Sequence, residues 1–427
     1  MDTSLFLVSP VTFRVVNGQY GLDEQTCDGL IRWVENFDRL VMAAPLLSDE
    51  QAEEFADSES GTWRAIDDLP CADRIEIVPL PYAYRPIVYL QHYWSVRKLL
   101  STKIQECQYL CFAPSVWLGD WAAVACSEAI RLKRSYAFWA DRVEYEVIRR
   151  LLNEEPSIKT RIKETLTLPI TKRYIHYLIR QSQIGLFQGQ DCYTAFAPLS
   201  RNPHCVYDTH TQKSDQIRPD RLAARLDRLM QNEPLNLCYV GRATEMKGAI
   251  DWIEVLQQLH QRGIQFKATW LGDGPQLSEM KEMAAKFGMA DLITFGGFVS
   301  DRAFMLDTMQ QQDIFMFCHK TPESPRCLVE ALVSGLPIVG YDSPYPRGLV
   351  AQNGGGIFTP LNDETALADQ IVALDRDRAK LRDLTRQAAE SGKLYDEETV
   401  FQHRSGLIKK YVIPKTWEAE PAIAAMS

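Results

Sequence analysis

The second half of the chain alternates short apolar runs with stretches whose apolar positions recur every three to four residues. "LNLCYV" (235–240) is a continuous apolar run closed by Gly241, the pattern of a buried strand. In "GAIDWIEVLQQLHQRG" (248–263), Ile250, Ile253, Leu256 and Leu259 repeat with a helical period and Gly263 stops it. A strand follows at 266–272, a helix at 276–288 closed by Gly288, and a strand in "LITFGGFV" (292–299). Ser300 is the expected N-cap of the next helix, then come a strand over 313–318, a helix over about 326–334 stopped by Gly335, and a strand over 337–342. Such alternation predicts βαβ units, a parallel sheet and helices on both of its faces. Ligands of such sheets bind beyond the carboxyl ends of the strands, which directs attention to the loops after 240, 272, 298, 318 and 342.

The first half alternates less regularly. Strands are expected at 4–10, 38–47, 74–80, 107–115, 134–141, 184–190 and 203–211. Residues 48–73 are acidic and irregular and read as a surface insertion, and 142–181 as helix broken near Pro156 and Pro169. The polar stretch 212–234 ends in "NEP" and is the expected linker. The division is a domain over 1–215, a linker over 216–234, a second domain over 235–393 and a tail over 394–427. The fold class is α/β, with both halves on one plan.

Composition narrows the function. The 427 residues are 46% apolar and 24% charged, ordinary for a soluble globular protein of two or more domains. A net charge of −9 argues against a general nucleic-acid binder. The ten cysteines are scattered without a CxxC pair and read as buried free thiols in a reducing cytosol. The start "MDTSLFLVSPV" reads as a first strand rather than a signal peptide, and no window of 18 uninterrupted apolar residues spans a membrane.

Three stretches carry candidate chemistry. In "GRATEMKG" (241–248), Gly241 can make a turn closed to other residues, and it puts Arg242 and Lys247 at the carboxyl edge of the sheet. Two cations there suit a diphosphate; ordinary solvated charges are the plain alternative. "LGDGPQL" (271–277) lacks the third glycine of a dinucleotide fingerprint and reads as a tight turn. In "TPESPRCLVEALVSGLPIVGYD" (321–342), Ser324 is the expected N-cap and Pro325 the first helical residue. The amides of Arg326, Cys327 and Leu328 would then point at an anion. Glu330 sits among apolar neighbours one turn later. It either accepts two hydrogen bonds from a ribose diol or pairs structurally with Arg242 or Lys247.

Taken together in this order over 235–360, Gly241-Arg242…Lys247-Gly248, "LGDGP", "ITFGGFVS" and "LVEALVSGLPIVGYD" resemble the donor domain of the retaining nucleotide-sugar glycosyltransferases of family 4, the group 1 type with the GT-B fold. The resemblance implies two Rossmann-like domains facing a cleft, with a tail that returns to the first domain. It implies that Arg242 and Lys247 hold the donor diphosphate and that Glu330 binds the ribose. Phe298 and Val299 would meet the base, and the "VNGQYGLDE" loop (16–24), with Gly18 and Gly21, would approach the phosphates and sugar. The family's two glutamates have seven residues between them, whereas Glu323 and Glu330 here have six, so that Glu323 serves from a shorter loop or the sugar contact comes from elsewhere. Where many members carry a histidine after a first-domain strand, "YAFWADRVE" (136–144) offers Asp141, as sugar ligand or helix cap, with His210 as a rival.

The implied reaction transfers a glycosyl group from a nucleotide-diphosphate sugar, with a UDP-sugar the expected co-substrate, to an unknown acceptor (a saccharide, a lipid-linked saccharide or a small molecule). Configuration is retained and no metal is needed; the Asp375-Arg376-Asp377 triplet reads as solvated helical charge. Arg242, Lys247 and the helix amides would stabilise charge on the departing phosphate. Residues 149–180 hold eight Lys/Arg against three Glu, which fits either a solvated helix face or peripheral contact with the inner face of a membrane by a cytoplasmic protein. Two other functions stay open: a degenerate GT-B protein that only binds or scaffolds, and a GT-B epimerase of free nucleotide sugars.

Overall fold

The computed structural model describes residues 3–16, 18–48, 51, 63–154, 158–321 and 324–414. The chain forms two compact units. The first comprises 1–188, 192–206 and 401–427, and the second 189–191 and 207–400.

The first unit holds a parallel sheet of seven strands: β1 (Ser4–Val8), β4 (Arg39–Leu46), β6 (Ile75–Pro81), β7 (Tyr109–Phe112), β8 (Ala137–Ala140), β9 (Ile184–Gln188) and β10 (Pro203–Val206), in the order β10-β9-β8-β7-β1-β4-β6. Every residue of β1 is buried, as a central parallel strand covered on both faces requires. Phe6, Val8, Leu110 and Phe112 pack under the helices Pro86–Glu106, Trp121–Arg131 and Ile158–Gln181. Leu5, Leu7, Leu40 and Met42 pack on the other face with Glu24–Asn36 and the terminal helix Glu397–Tyr411. There the fully buried Arg404 lies 4.5 Å over the Trp139 ring and 5.0 Å over Phe401, so the helix that ends the described chain is anchored by a cation among aromatic rings.

The second unit holds six parallel strands: β11 (Leu235–Val240), β12 (Phe266–Leu271), β13 (Ile293–Gly297), β14 (Ile314–Phe317), β15 (Ile338–Tyr341) and β16 (Gly356–Thr359). Their order is β13-β12-β11-β14-β15-β16. The chain starts in the middle, winds outward to β13, then crosses back to β14 on the other side of β11. The order therefore reverses between β11 and β14, and a crevice opens beyond the carboxyl ends of those two strands, the place where doubly wound sheets bind ligands.

Several sequence expectations change. The stretch 216–234 is not a linker: Pro219–Leu229 is a helix of the second unit, and its buried Arg225 donates to the carbonyls of Gln310, Ser334 and Gly335. The insertion over 48–73 is structured at its end. β5 (Trp63–Ala65) pairs with β3 (Gln19–Asp23), which pairs with β2 (Arg14–Val16), and Ile66 and Leu69 enter the core. The described residues of "VNGQYGLDE" on either side of position 17 are thus paired antiparallel strands rather than an open loop, with Val16 opposite Gln19. A Cβ on Gly21 would come within 2.6 Å of Val16 Cγ2, so strand packing accounts for that glycine. Pro169 does not break its helix; it stands on the exposed side of Ile158–Gln181, whose Ile175, Leu178 and Ile179 are core residues. Pro156 lies outside the described residues. Among the described residues all ten cysteines are free, and no helix is long and apolar enough to cross a membrane.

Candidate active site

The loops after β11, β12 and β13 are tied to one another by backbone hydrogen bonds. The Gly241 amide donates to Leu271 (2.9 Å), the Ala243 amide to Asp273 (2.9 Å), the Gln276 amide to Ala243 (3.0 Å) and the Gly272 amide to Gly297 (2.7 Å). A Cβ on Gly272 would stand 1.9 Å from the Gly241 carbonyl oxygen, which is why "LGDGP" carries glycine there: it lets two loops touch. The result is a rigid floor at the carboxyl edge of the sheet.

Arg242 stands on that floor, exposed, and no described residue pairs with its guanidinium. Lys247 lies five residues on, half-buried, just ahead of the left-handed Gly248 and the helix Ala249–Gln261. Across the crevice, β14 runs into Cys318, His319 and Lys320. His319 is 8% exposed, and its Nε2 is 2.7 Å from the Tyr239 hydroxyl. Burial, then the nearby Lys247 ammonium, push its pKa down to about 3, so the imidazole is neutral at ordinary pH. Lys320 turns away to Asp251 (2.6 Å) beside a cavity of about 360 Å³ lined in part by Glu254, Gln276 and Glu364. The carboxylates of Asp251, Glu254 and Glu364 lie within 4.8 Å of one another, and the Tyr341 hydroxyl bonds two of them. The Lys320 ammonium offsets one of the three charges, and burial with the neighbouring Glu364 and Asp251 carboxylates raises the Glu254 pKa.

Glu330 lies in the helix Arg326–Val333, whose Leu328, Val329, Ala331 and Leu332 are buried. The residue that reaches its carboxylate is Arg302, at 2.7 Å from Oε1. The same guanidinium binds Asp215 at 2.9 Å. Burial opposes the Arg302 charge, but the bonds and charges of Asp215 and Glu330 outweigh it and hold its pKa above the usual range. The sequence alternative that paired Glu330 with Arg242 or Lys247 is therefore replaced by a pair with Arg302.

The other predicted site residues are placed as follows. The helix starts one residue later than expected, with Pro325 rather than Ser324 at the cap and no side-chain cap. The Leu328 amide bonds the Pro325 carbonyl at 3.2 Å and so is not an open anion donor; Arg326 is exposed and Cys327 half-buried at the same terminus. Phe298 is 77% exposed directly after β13, with Val299 half-buried beside it. Glu323 and Pro322 lie outside the described residues. Asp301, not Ser300, caps the helix Arg302–Gln310. Asp141 is exposed after β8, three residues ahead of the helix Glu144–Glu154. Asp141, Gly18 and Gly21 belong to the first unit, whereas Gly241, Arg242, Lys247 and Glu330 belong to the second. His210 Nδ1 is 3.6 Å from Glu397, in the second unit, next to the Thr211 hydroxyl that donates to the Tyr395 carbonyl. Asp375 binds Arg378 and Asp377 caps Arg378–Gly392, so the triplet is structural. Sequence reasoning missed His319 and Arg302. The "HK" after the buried strand "IFMF" was a readable signal for the first; nothing local pointed to the second.

Residues 220–391 match the family model for group 1 glycosyl transferases. The domain so matched lies within the second unit and includes β11 to β16, Arg242, Lys247, His319 and Glu330. A putative colanic acid biosynthesis glycosyltransferase, WcaL of Escherichia coli K12, is 30% identical over 167 residues, 37% of this chain and 40% of its own length. The alpha-D-kanosaminyltransferase of Streptomyces kanamyceticus is 24% identical over 230 residues, 53% of this chain and 58% of its own. The chain thus spans between about two-fifths and three-fifths of these relatives. Among solved structures, Anabaena HepE in complex with UDP superposes with a TM-score of 0.58 at 17% identity, covering 96% of this chain and 100% of that one. A lipopolysaccharide outer core galactosyltransferase, WaaB, gives 0.59 at 12% identity, over 96% and 99%. The fold is GT-B, two Rossmann-like α/β units.

Proposed function

We propose that the protein transfers a hexosyl group from a nucleotide-diphosphate sugar, a UDP-sugar by preference, with retention of configuration and without a metal. The observation that carries this is the exposed, unmatched Arg242 with Lys247 at the switch point of a parallel sheet. An arginine fork and a lysine point charge suit a diphosphate, and they grip it harder as the glycosyl bond breaks and charge builds on the leaving group. Glu330, held by Arg302 through Oε1, keeps Oε2 to accept from a ribose diol. Phe298 offers an exposed ring to the base. The neutral His319 adds no charge of its own and can donate or accept beside the phosphates. HepE is a structure with UDP bound, which supports the same choice of nucleotide.

The acceptor is a saccharide, a lipid-linked saccharide or a small molecule. The basic run 149–180 would serve a lipid-linked one by peripheral contact, which fits a cytoplasmic protein on the inner face of a membrane. The test is incubation with UDP-, GDP-, ADP- and TDP-sugars, reading slow donor hydrolysis and the anomeric form released, with and without chelator. Slow hydrolysis that needs Arg242, Lys247 and Glu330 supports a transferase. Conversion of the free donor to its epimer would move the assignment to an epimerase, and binding without turnover to a scaffold.

A further inference from the structure

The helix Pro86–Glu106 exposes an apolar stripe that its own packing does not need. Ile87, Leu90 and Trp94, spaced i, i+3 and i+7, are 72%, 68% and 72% exposed. They share one face of the helix, while Tyr89, Val96, Leu100 and Ile104 turn into the core. Tyr84 just ahead of the helix is also exposed. Charge distinguishes this face from the rest of a protein with a net charge of −9. Between Arg85 and Gln105 there is no acidic residue, whereas Arg85, Arg97, Lys98 and Lys103 are cationic. Arg97 is spent internally, on Glu128 and over the Trp94 ring at 5.3 Å; Arg85 and Lys98 face solvent.

The helix Ile158–Gln181 lies in the same layer, since both helices pack on Trp121–Arg131 and on one face of the sheet. It repeats the composition. Leu166, Ile170 and Tyr177 are exposed at 69%, 47% and 45%, Arg161, Lys172, Arg173 and Arg180 are exposed, and no acidic residue falls between 165 and 181. The side chains of Arg150, Lys159 and Lys163 lie outside the described residues.

We propose that this helical layer docks on an anionic lipid bilayer, with Ile87, Leu90 and Trp94 entering the headgroup–acyl boundary and Lys98, Arg85 and the cations of the second helix at the lipid phosphates. An apolar stripe beside the solvent-facing cations Arg85 and Lys98 fits a surface that is apolar within and negative at its rim, whereas Lys103 farther along the helix is paired with Glu76 and Glu106. A tryptophan at the edge of such a stripe suits the interface, where its ring is half apolar and half polar. The inference deepens the peripheral contact proposed above for 149–180, rests on exposed side chains, and does not need the transferase reading.

The experiment is flotation of the full chain with vesicles of phosphatidylcholine alone or with one-third phosphatidylglycerol, at low and high salt. Light scattering of the vesicle-free protein and UDP binding are measured on the same preparations. Binding to the anionic vesicles only, weakened by salt, is expected. Leu90→Ser with Trp94→Ser should lower it tenfold or more at an unchanged melting temperature, and Lys98→Ala about fivefold. No binding to anionic vesicles, or binding that both variants leave intact, overturns the proposal. So does a vesicle-free dimer that the Leu90→Ser, Trp94→Ser variant dissolves, which assigns the stripe to a second copy. If vesicles fail while UDP still binds, only this proposal falls.

Discussion

His319 gives a prediction whose size follows from its surroundings. In the unfolded chain it titrates near 6.5; in the folded protein burial and Lys247 push that down to about 3. Between those values the unfolded state binds a proton that the native state refuses, so stability is complete above pH 6.5 and falls as pH drops through the window. At one pKa unit per 1.36 kcal/mol, going from pH 7 to pH 5 should cost about 2 kcal/mol from this residue. His319→Asn cannot titrate but keeps a polar partner for Tyr239. The assay is urea unfolding of both proteins at pH 7 and pH 5. The wild type should lose about 2 kcal/mol more than the variant across that interval. Because a bound diphosphate brings negative charge close to the imidazole, saturating UDP should shrink the difference. Equal losses in the two proteins would refute the claim that His319 is held neutral beside Lys247.

Other perturbations follow from single contacts. Arg404→Met removes the cation from among Trp33, Trp139 and Phe401 and should cost about 2 kcal/mol, read by urea unfolding of the full chain. Gly272→Ala forces a methyl against the Gly241 carbonyl and should cost about 1–3 kcal/mol, with loss of nucleotide binding because the floor under Arg242 shifts. Arg302→Met leaves the Glu330 and Asp215 carboxylates without their partner and should lower stability by about 1–3 kcal/mol and weaken UDP binding, whereas Arg302→Lys should restore part of both.

The parallel sheets were legible because each strand of the second unit is a short apolar run bounded by a glycine or a polar turn, and periodicity alone separates these from the helices. Arg242 and Lys247 were legible for the same reason: residues directly after a buried strand can only stand at its carboxyl edge. Helix Pro219–Leu229 was hidden because its anchoring residue is an arginine, and what Arg225 bonds is carbonyls about 85 to 110 residues away. Arg302 was hidden likewise, since its two carboxylates come from residues 215 and 330. The antiparallel pair Arg14–Val16 and Gln19–Asp23 was readable from the Asn-Gly dipeptide that the sequence puts between β-branched and aromatic residues. A family-like glycine loop was the competing reading of the same residues. The register of the helix after β14 depended on a single residue, and Pro325 took the cap because its fixed φ suits either position.

The central claim is that the carboxyl edge of the second sheet grips a nucleoside diphosphate through Arg242. Calorimetric titration of UDP into the wild type, Arg242→Ala and the surface control Arg386→Ala tests it directly. A charge-assisted hydrogen bond contributes about 1.5–3 kcal/mol, so Arg242→Ala should bind UDP at least tenfold more weakly while Arg386→Ala binds as the wild type does. Wild-type affinity retained in Arg242→Ala would contradict the account.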